Sequence, residues 1–202
     1  MSGLVNVTGA RSGLIGTTES AATSEGMTLV YTSSGTSPDH SNVFSSTYGT
    51  YTMIIGKLIS DTDNDGIYFR WLSTGTNAIT TASYKGLYQG GEMTGEGAGN
   101  STEYRAGWNQ DAFYFYPPGG NATHNSGYGG YSGNFTIHNP HPSNMGMFIN
   151  GVGGFMRYQG TKIHSGTFAG NFGSVASATG FRIWFGNGSI AQQKIWVYGH
   201  KD

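Results

Sequence analysis

Residues 51–73, YTMIIGKLISDTDNDGIYFRWLS, decide the fold. In YTMIIGKLI (51–59) and IYFRWLS (67–73), apolar and aromatic residues recur at every second position with no helical stripe, so both halves read as β-strands. Between them Asp61, Asp63, Asp65 and Gly66 spell D-x-D-x-D-G, the opening of a calcium loop. An EF-hand counted from Asp61 needs a bidentate acid at its twelfth position; Leu72 stands there, and the EF-hand is excluded. A looser calcium site formed by the carboxylates of Asp61, Asp63 and Asp65 with the Ile67 carbonyl stays open, because three close acids repel one another without a cation. The competing reading is the polar tip of a hairpin whose turn is Asp65-Gly66.

Outward from this stretch the same period-2 pattern recurs. It predicts strands over 27–31, 112–116, 134–139, 145–149, 154–160, 162–169, 181–185 and 194–199, and an all-β chain. In FRIWF (181–185), Phe181, Ile183 and Phe185 share one face and Arg182 and Trp184 the other, so the first three are assigned to the core. Asn150-Gly151 and Asn187-Gly188 carry the same turn chemistry as Asp65-Gly66 and predict two further hairpins. Segments 89–111 and 117–133 are polar and glycine-rich and read as long loops.

Composition narrows the function. Of 202 residues 35 are glycine, only 10% are charged, and the net charge is −1; such a surface has no electrostatic footprint for nucleic acid or an anionic membrane. Cysteine is absent, which excludes a disulfide framework and thiol chemistry and fits synthesis in a reducing cytoplasm. The start of the chain lacks a signal-peptide core, and no apolar run is long enough for a transmembrane helix, so neither ordinary secretion nor membrane insertion is expected.

Motifs for catalysis are weak. The acids Glu92, Glu96, Glu103 and Asp111 supply carboxylates for a glycosidase pair, but spacing alone does not oppose any two of them. His138 and His141 are held in an extended HNPHP segment, and without cysteine or an H-x-x-x-H helix they make a poor zinc site. No serine nucleophile elbow or phosphate loop occurs. The aromatic residues placed in the two loops, Tyr104, Trp108, Tyr128 and Tyr131, pair a flat apolar face with a polar tip, which suits protein interfaces and stacking on sugar rings. They are the candidate ligand contacts; the alternative is that they pin their loops to the domain.

VNVTGARSGLIGTT (5–18), the 51–73 strand pair and KIWVYGHKD (194–202) together resemble the small β-sandwich structural proteins of tailed marine phages, of the tail-fibre, head-fibre or capsid-surface type. The resemblance covers the two ends and one strand pair. It implies a virion component made in the bacterial cytoplasm, built as a homo-oligomer with a trimer favoured, contacting other virion proteins and a host cell-surface glycan; it carries no catalytic residues and no cofactor. The expected architecture is an antiparallel, jelly-roll-like β-sandwich over 27–202 preceded by an anchoring arm over 1–26. A lectin-like carbohydrate module is the alternative function, and a glycoside hydrolase or depolymerase a third.

Overall fold

The computed structural model describes residues 26–62, 66–80, 83–94, 101–116, 130–141, 146–156, 162–173 and 176–201, with the backbone alone at 92–94, 101–109, 116, 156 and 162. The described residues form strands β1 (Met27–Ser33), β2 (Asp39–His40), β3 (Thr50–Ser60), β4 (Ile67–Leu72), β5 (Tyr84–Thr94), β6 (Ser101–Gln110), β7 (Phe113–Tyr116), β8 (Gly130–His138), β9 (Met147–Met156), β10 (Lys162–Phe172), β11 (Gly180–Phe185) and β12 (Ile190–His200). They pair antiparallel into an eight-stranded sheet, β1-β12-β3-β8-β9-β10-β5-β6, and a four-stranded sheet, β2-β11-β4-β7. Residues 1–25, most of the expected arm, lie outside the described residues; β1 begins just after them, at one edge of the large sheet.

The order becomes simple once two hairpins are set aside. Without β5–β6 and β9–β10, the sheets are β1-β12-β3-β8 facing β2-β11-β4-β7, and successive strands alternate between sheets except β4 and β7, which pair within the small one: a jelly-roll sandwich. The two hairpins then extend the large sheet beyond the small one, joined to each other by the β10–β5 ladder. Alternating side chains of both sheets fill the space between them. Tyr51, Met53 and Ile55 of β3 and Ile195 and Val197 of β12 come from one side; Phe69 and Trp71 of β4 and Phe181 and Ile183 of β11 come from the other, all buried. Phe69 stacks on Phe181 at 5.4 Å and Phe115 on Phe135 at 4.4 Å, geometries that add to their area burial. The assignment of Phe181, Ile183 and Phe185 to the core holds.

Several sequence expectations are overturned. The Asp65-Gly66 connection is not a hairpin: β3 lies in the large sheet and β4 in the small one, so the strands face each other across the core rather than sharing a ladder. Asn187-Gly188 is likewise a crossing, from β11 to β12. The two crossings are tied together. Asp61 N donates to Ser189 O at 2.9 Å, Ser189 N to Asp61 Oδ1 at 2.8 Å, and Gly186 N to Gly66 O at 3.2 Å. Asn150-Gly151 lies inside β9, which merges the two strands expected over 145–149 and 154–160. A Cβ on Gly151 would lie 2.2 Å from the Asn134 carbonyl oxygen of β8, so its glycine serves close strand approach rather than a turn.

The segment 89–111, expected to be a loop, is largely the β5–β6 hairpin, and residues 130–133 of the second expected loop belong to β8. The cause is visible in β5. Its inward positions are Tyr84, Gly86, Tyr88 and Gly90, with Lys85, Leu87 and Gln89 outward, so the apolar alternation that marks a strand is replaced by rings laid over glycines.

Candidate binding surface

The outer face of the small sheet gathers arginine and aromatic side chains. On β11 Arg182 and Trp184 alternate with the buried Phe181, Ile183 and Phe185, and on β4 Tyr68 and Arg70 alternate with Ile67, Phe69 and Trp71. Antiparallel register sets Arg182 directly opposite Arg70 and Trp184 opposite Tyr68, while Tyr68 pairs with Tyr114 of β7 and Arg182 with Asp39 of β2. Two adjacent rows result. One runs Asp39, Arg182, Arg70 and ends at Asp111, in the turn before β7; the other runs Trp184, Tyr68, Tyr114.

Both rows are held in place. Arg182 grips both carboxylate oxygens of Asp39, its Nη2 at 2.7 Å from Oδ2, a forked geometry stronger than a single bond. Hydrogen bonding to Asp39 raises the guanidinium pKa above its ordinary value. Arg70 donates Nε to the Asp111 carbonyl and Nη2 to its carboxylate, each at 2.7 Å, and its guanidinium lies 5.0 Å from the Trp184 ring centre. Tyr68 stacks on Trp184 at 5.2 Å and meets Tyr114 edge to face at 5.0 Å. The Tyr114 hydroxyl donates to Gln110 Oε1 at 3.1 Å, and burial pushes its phenol upward in pKa, with Asp111 adding to the shift. Trp, Tyr and Arg are the types that dominate binding hot spots, and here they are positioned on strands rather than on loops.

The sequence-predicted contacts fall elsewhere. Tyr131 is 3% exposed, on the inner face of β8, with ring partners Phe115, Phe135 and Phe155; burial drives its phenol pKa far upward. It is a core residue, and its assignment as a ligand contact is corrected. Tyr104 and Trp108 lie on β6, an edge strand, with Tyr104 in register opposite Gln89. Tyr128 lies outside the described residues.

Of the calcium candidates, Asp61 spends Oδ1 on the Ser189 amide, and Asp63 and Asp65 lie outside the described residues. Among the described residues no three His, Asp or Glu side chains gather as a metal site. Of the acids considered for sugar hydrolysis, Asp111 is paired with Arg70, Glu92 and Glu103 lie on β5 and β6, and Glu96 is outside the described residues. His138 closes β8 on the outer face of the large sheet, and Asn139 then turns the chain with a φ of 50°.

Two histidines go into the interior instead. His40 Nδ1 and Tyr31 Oη share a hydrogen bond (2.9 Å), and the ring lies against Phe181, linking the edge of one sheet to the edge of the other. His164 bonds Tyr88 Oη at 2.7 Å and stacks on Phe155.

Sequence reasoning identified Arg182 and Trp184 as one outward face but missed their partners Tyr68, Arg70 and Tyr114. The usable signal was the Phe-Arg dipeptide repeated at 69–70 and 181–182, which puts an arginine on the outward face of two strands. No family model, curated protein or solved structure matches the chain.

Proposed function

We propose that the protein is a structural component of a tailed-phage particle, displayed on its surface as a tail fibre, head fibre or decoration, and that it works by binding rather than by turnover. The observation that carries this reading is where the chemistry lies. Packed rings occupy the space between the sheets, while the paired arginines and the Trp-Tyr-Tyr row stand on an outer face. The two outer faces suit two jobs. The small-sheet face, with its rigid hot-spot residue types, is the receptor-facing side. The large-sheet face exposes Leu87, Phe148, Val152 and Ile163 among Asn, Thr, Ser and Gln, and such apolar surface serves contacts with sister subunits or other virion proteins. A symmetric oligomer, a trimer by the resemblance of the chain ends, also protects edge strands such as β6.

Quantitative mass spectrometry of purified particles tests the reading. A fixed, integral copy number per particle is expected, and absence from particles would overturn it. Deleting residues 1–20 separates anchoring from folding: the shortened chain should fold with an unchanged β spectrum yet fail to enter particles. Retained incorporation would refute the role of the arm.

A further inference from the structure

We propose that β1 pairs antiparallel with β1 of a second copy about a two-fold axis, joining two large sheets into one continuous sheet. The inference goes beyond the particle reading and does not rest on it, because it concerns the isolated chain.

The four edge strands differ in how they are protected. β2 has two residues, one of them Asp39, and β7 has four. β6 is longer but carries Glu103 and Arg105. Short length and charge are devices by which natural sheets prevent edge-to-edge pairing. β1 runs seven residues, MTLVYTS, with no charge and no proline. Its backbone pairs with β12 on one side; on the other, no strand, turn or loop among the described residues bonds it.

A bulge in β1 sets its faces. The register shifts between Leu29 and Tyr31, leaving Val30 as the extra residue. Leu29 lies opposite Tyr198 and Thr32 opposite Trp196, so both stand on the outer face, and both are exposed. Thr28, Tyr31 and Ser33 lie opposite Gly199, Val197 and Ile195, on the core side.

Self-complementarity identifies the occupant. A two-fold axis passing between Val30 and Tyr31 sets Leu29 against Thr32, Thr28 against Ser33 and Val30 against Tyr31, each pair occurring twice. Outer positions then meet outer positions and core-side positions meet core-side ones, as a ladder requires. Val with Tyr is an aromatic–β-branched pair and Thr with Ser a hydroxyl pair, both favourable across strands, and no charges meet. An axis through Val30 itself would oppose Leu29 to Tyr31, outer against inner.

Sedimentation equilibrium of the full-length protein tests the pairing. A reversible monomer–dimer equilibrium is expected, since a single strand pair is a small contact. Leu29→Lys combined with Thr32→Lys opposes like charges at both positions and should weaken dimerisation tenfold or more; Leu29→Glu with Thr32→Glu should do the same. Mixing these two variants in equal amounts brings opposite charges together and should restore the dimer, less so at high salt. Val152→Lys, on the outer face of β9 away from β1, should leave dimerisation unchanged, and melting curves establish that each variant is folded.

A chain that stays monomeric at every concentration, a trimer, dissociation by Val152→Lys instead of the β1 variants, or a mixture that fails to dimerise overturns the proposal. So does a dimer that forms only after residues 1–20 are deleted, which would assign this edge to the chain's own arm. Particle content separates this idea from the reading above it. A monomer present in particles removes the pairing alone; a dimer absent from particles removes the virion reading alone.

Discussion

The two halves of the large sheet close their inner faces by opposite means. Beneath the small sheet, β1, β12, β3 and β8 present Tyr51, Met53, Ile55, Phe135, Ile137, Ile195 and Val197 to an opposing layer. In the extension, β9, β10 and β5 present glycines, and rings lie down upon them. A Cβ on Gly170 would sit 2.7 Å from Phe113 and 2.8 Å from Phe168, and one on Gly166 2.5 Å from the Tyr88 hydroxyl. Aromatic residues of the sheet itself thus cover this ground, together with Phe113 and Phe115 from β7, the edge strand of the small sheet. The high glycine content is in part a packing device rather than a mark of loops.

The halves should therefore answer volume changes differently. Phe69→Ala removes a fully buried ring from the two-layer core and should cost about 3–5 kcal/mol in denaturant unfolding. A loss under about 1 kcal/mol would mean the core is not packed between the layers as described.

Acid acts next, on the jelly-roll part. His40 joins the edges of the two sheets within the jelly-roll part, and burial lowers its pKa to about 4, against the opposing pull of Asp39. Asp39 and Arg182 are the charged groups beside it, and Tyr31 and Gln193 its polar neighbours on β1 and β12. Because the folded value lies below the unfolded 6.5, the unfolded chain takes up the proton first. Stability is full above pH 6.5 and falls as the pH drops toward 4, by about 3 kcal/mol in total. His40→Phe should flatten that part of the pH profile, and an unchanged profile would show that another group carries it.

In the extension, added volume does the damage. Gly170→Ala should cost about 1–3 kcal/mol, whereas Gly35→Ala, with open space around it, should stay within about 0.5 kcal/mol. Combining Gly170→Ala with Phe168→Leu should recover part of the loss, and strict additivity in this cycle would break the ring-on-glycine account.

The smallest effect belongs to the crossing that joins the sheets. Asp61→Ala frees the Ser189 amide and should cost about 1 kcal/mol, while Asp61→Asn keeps the acceptor and most of the stability. Added calcium leaves the melting temperature unchanged if the loop is only a crossing; a rise that disappears in Asp61→Asn would identify an ion site there.

What was legible in the sequence follows the same division. Strands β3, β4, β11 and β12 alternate Ile, Met, Phe or Val with polar residues and were placed within a few residues. Strand β5 does not read as a strand, because glycine at inward positions erases the apolar period while the ring that fills each space is often supplied by another strand. Turn chemistry misled for a related reason: Asn-Gly and Asp-Gly record a local backbone need, and neither says whether the next strand pairs in the same sheet or crosses to the other. Tyr131 looked exposed because Gly-rich flanks surround it; the glycine that makes room for its hydroxyl is Gly153, on the neighbouring strand β9. The outward row of Trp184, Tyr68 and Tyr114 depends on register between strands far apart in the chain, which a single sequence does not display.

The central claim is that the small-sheet face looks outward from the particle while the large-sheet face is covered. The chain has no cysteine, so a single introduced thiol reports one position. Maleimide labelling of intact particles carrying Asp111→Cys or Val152→Cys, at positions 63% and 55% exposed in the isolated chain, compares the faces directly. The account predicts that the thiol at 111 reacts as fast as in the free protein and that the thiol at 152 is protected; protection at 111 with free reaction at 152 would contradict it.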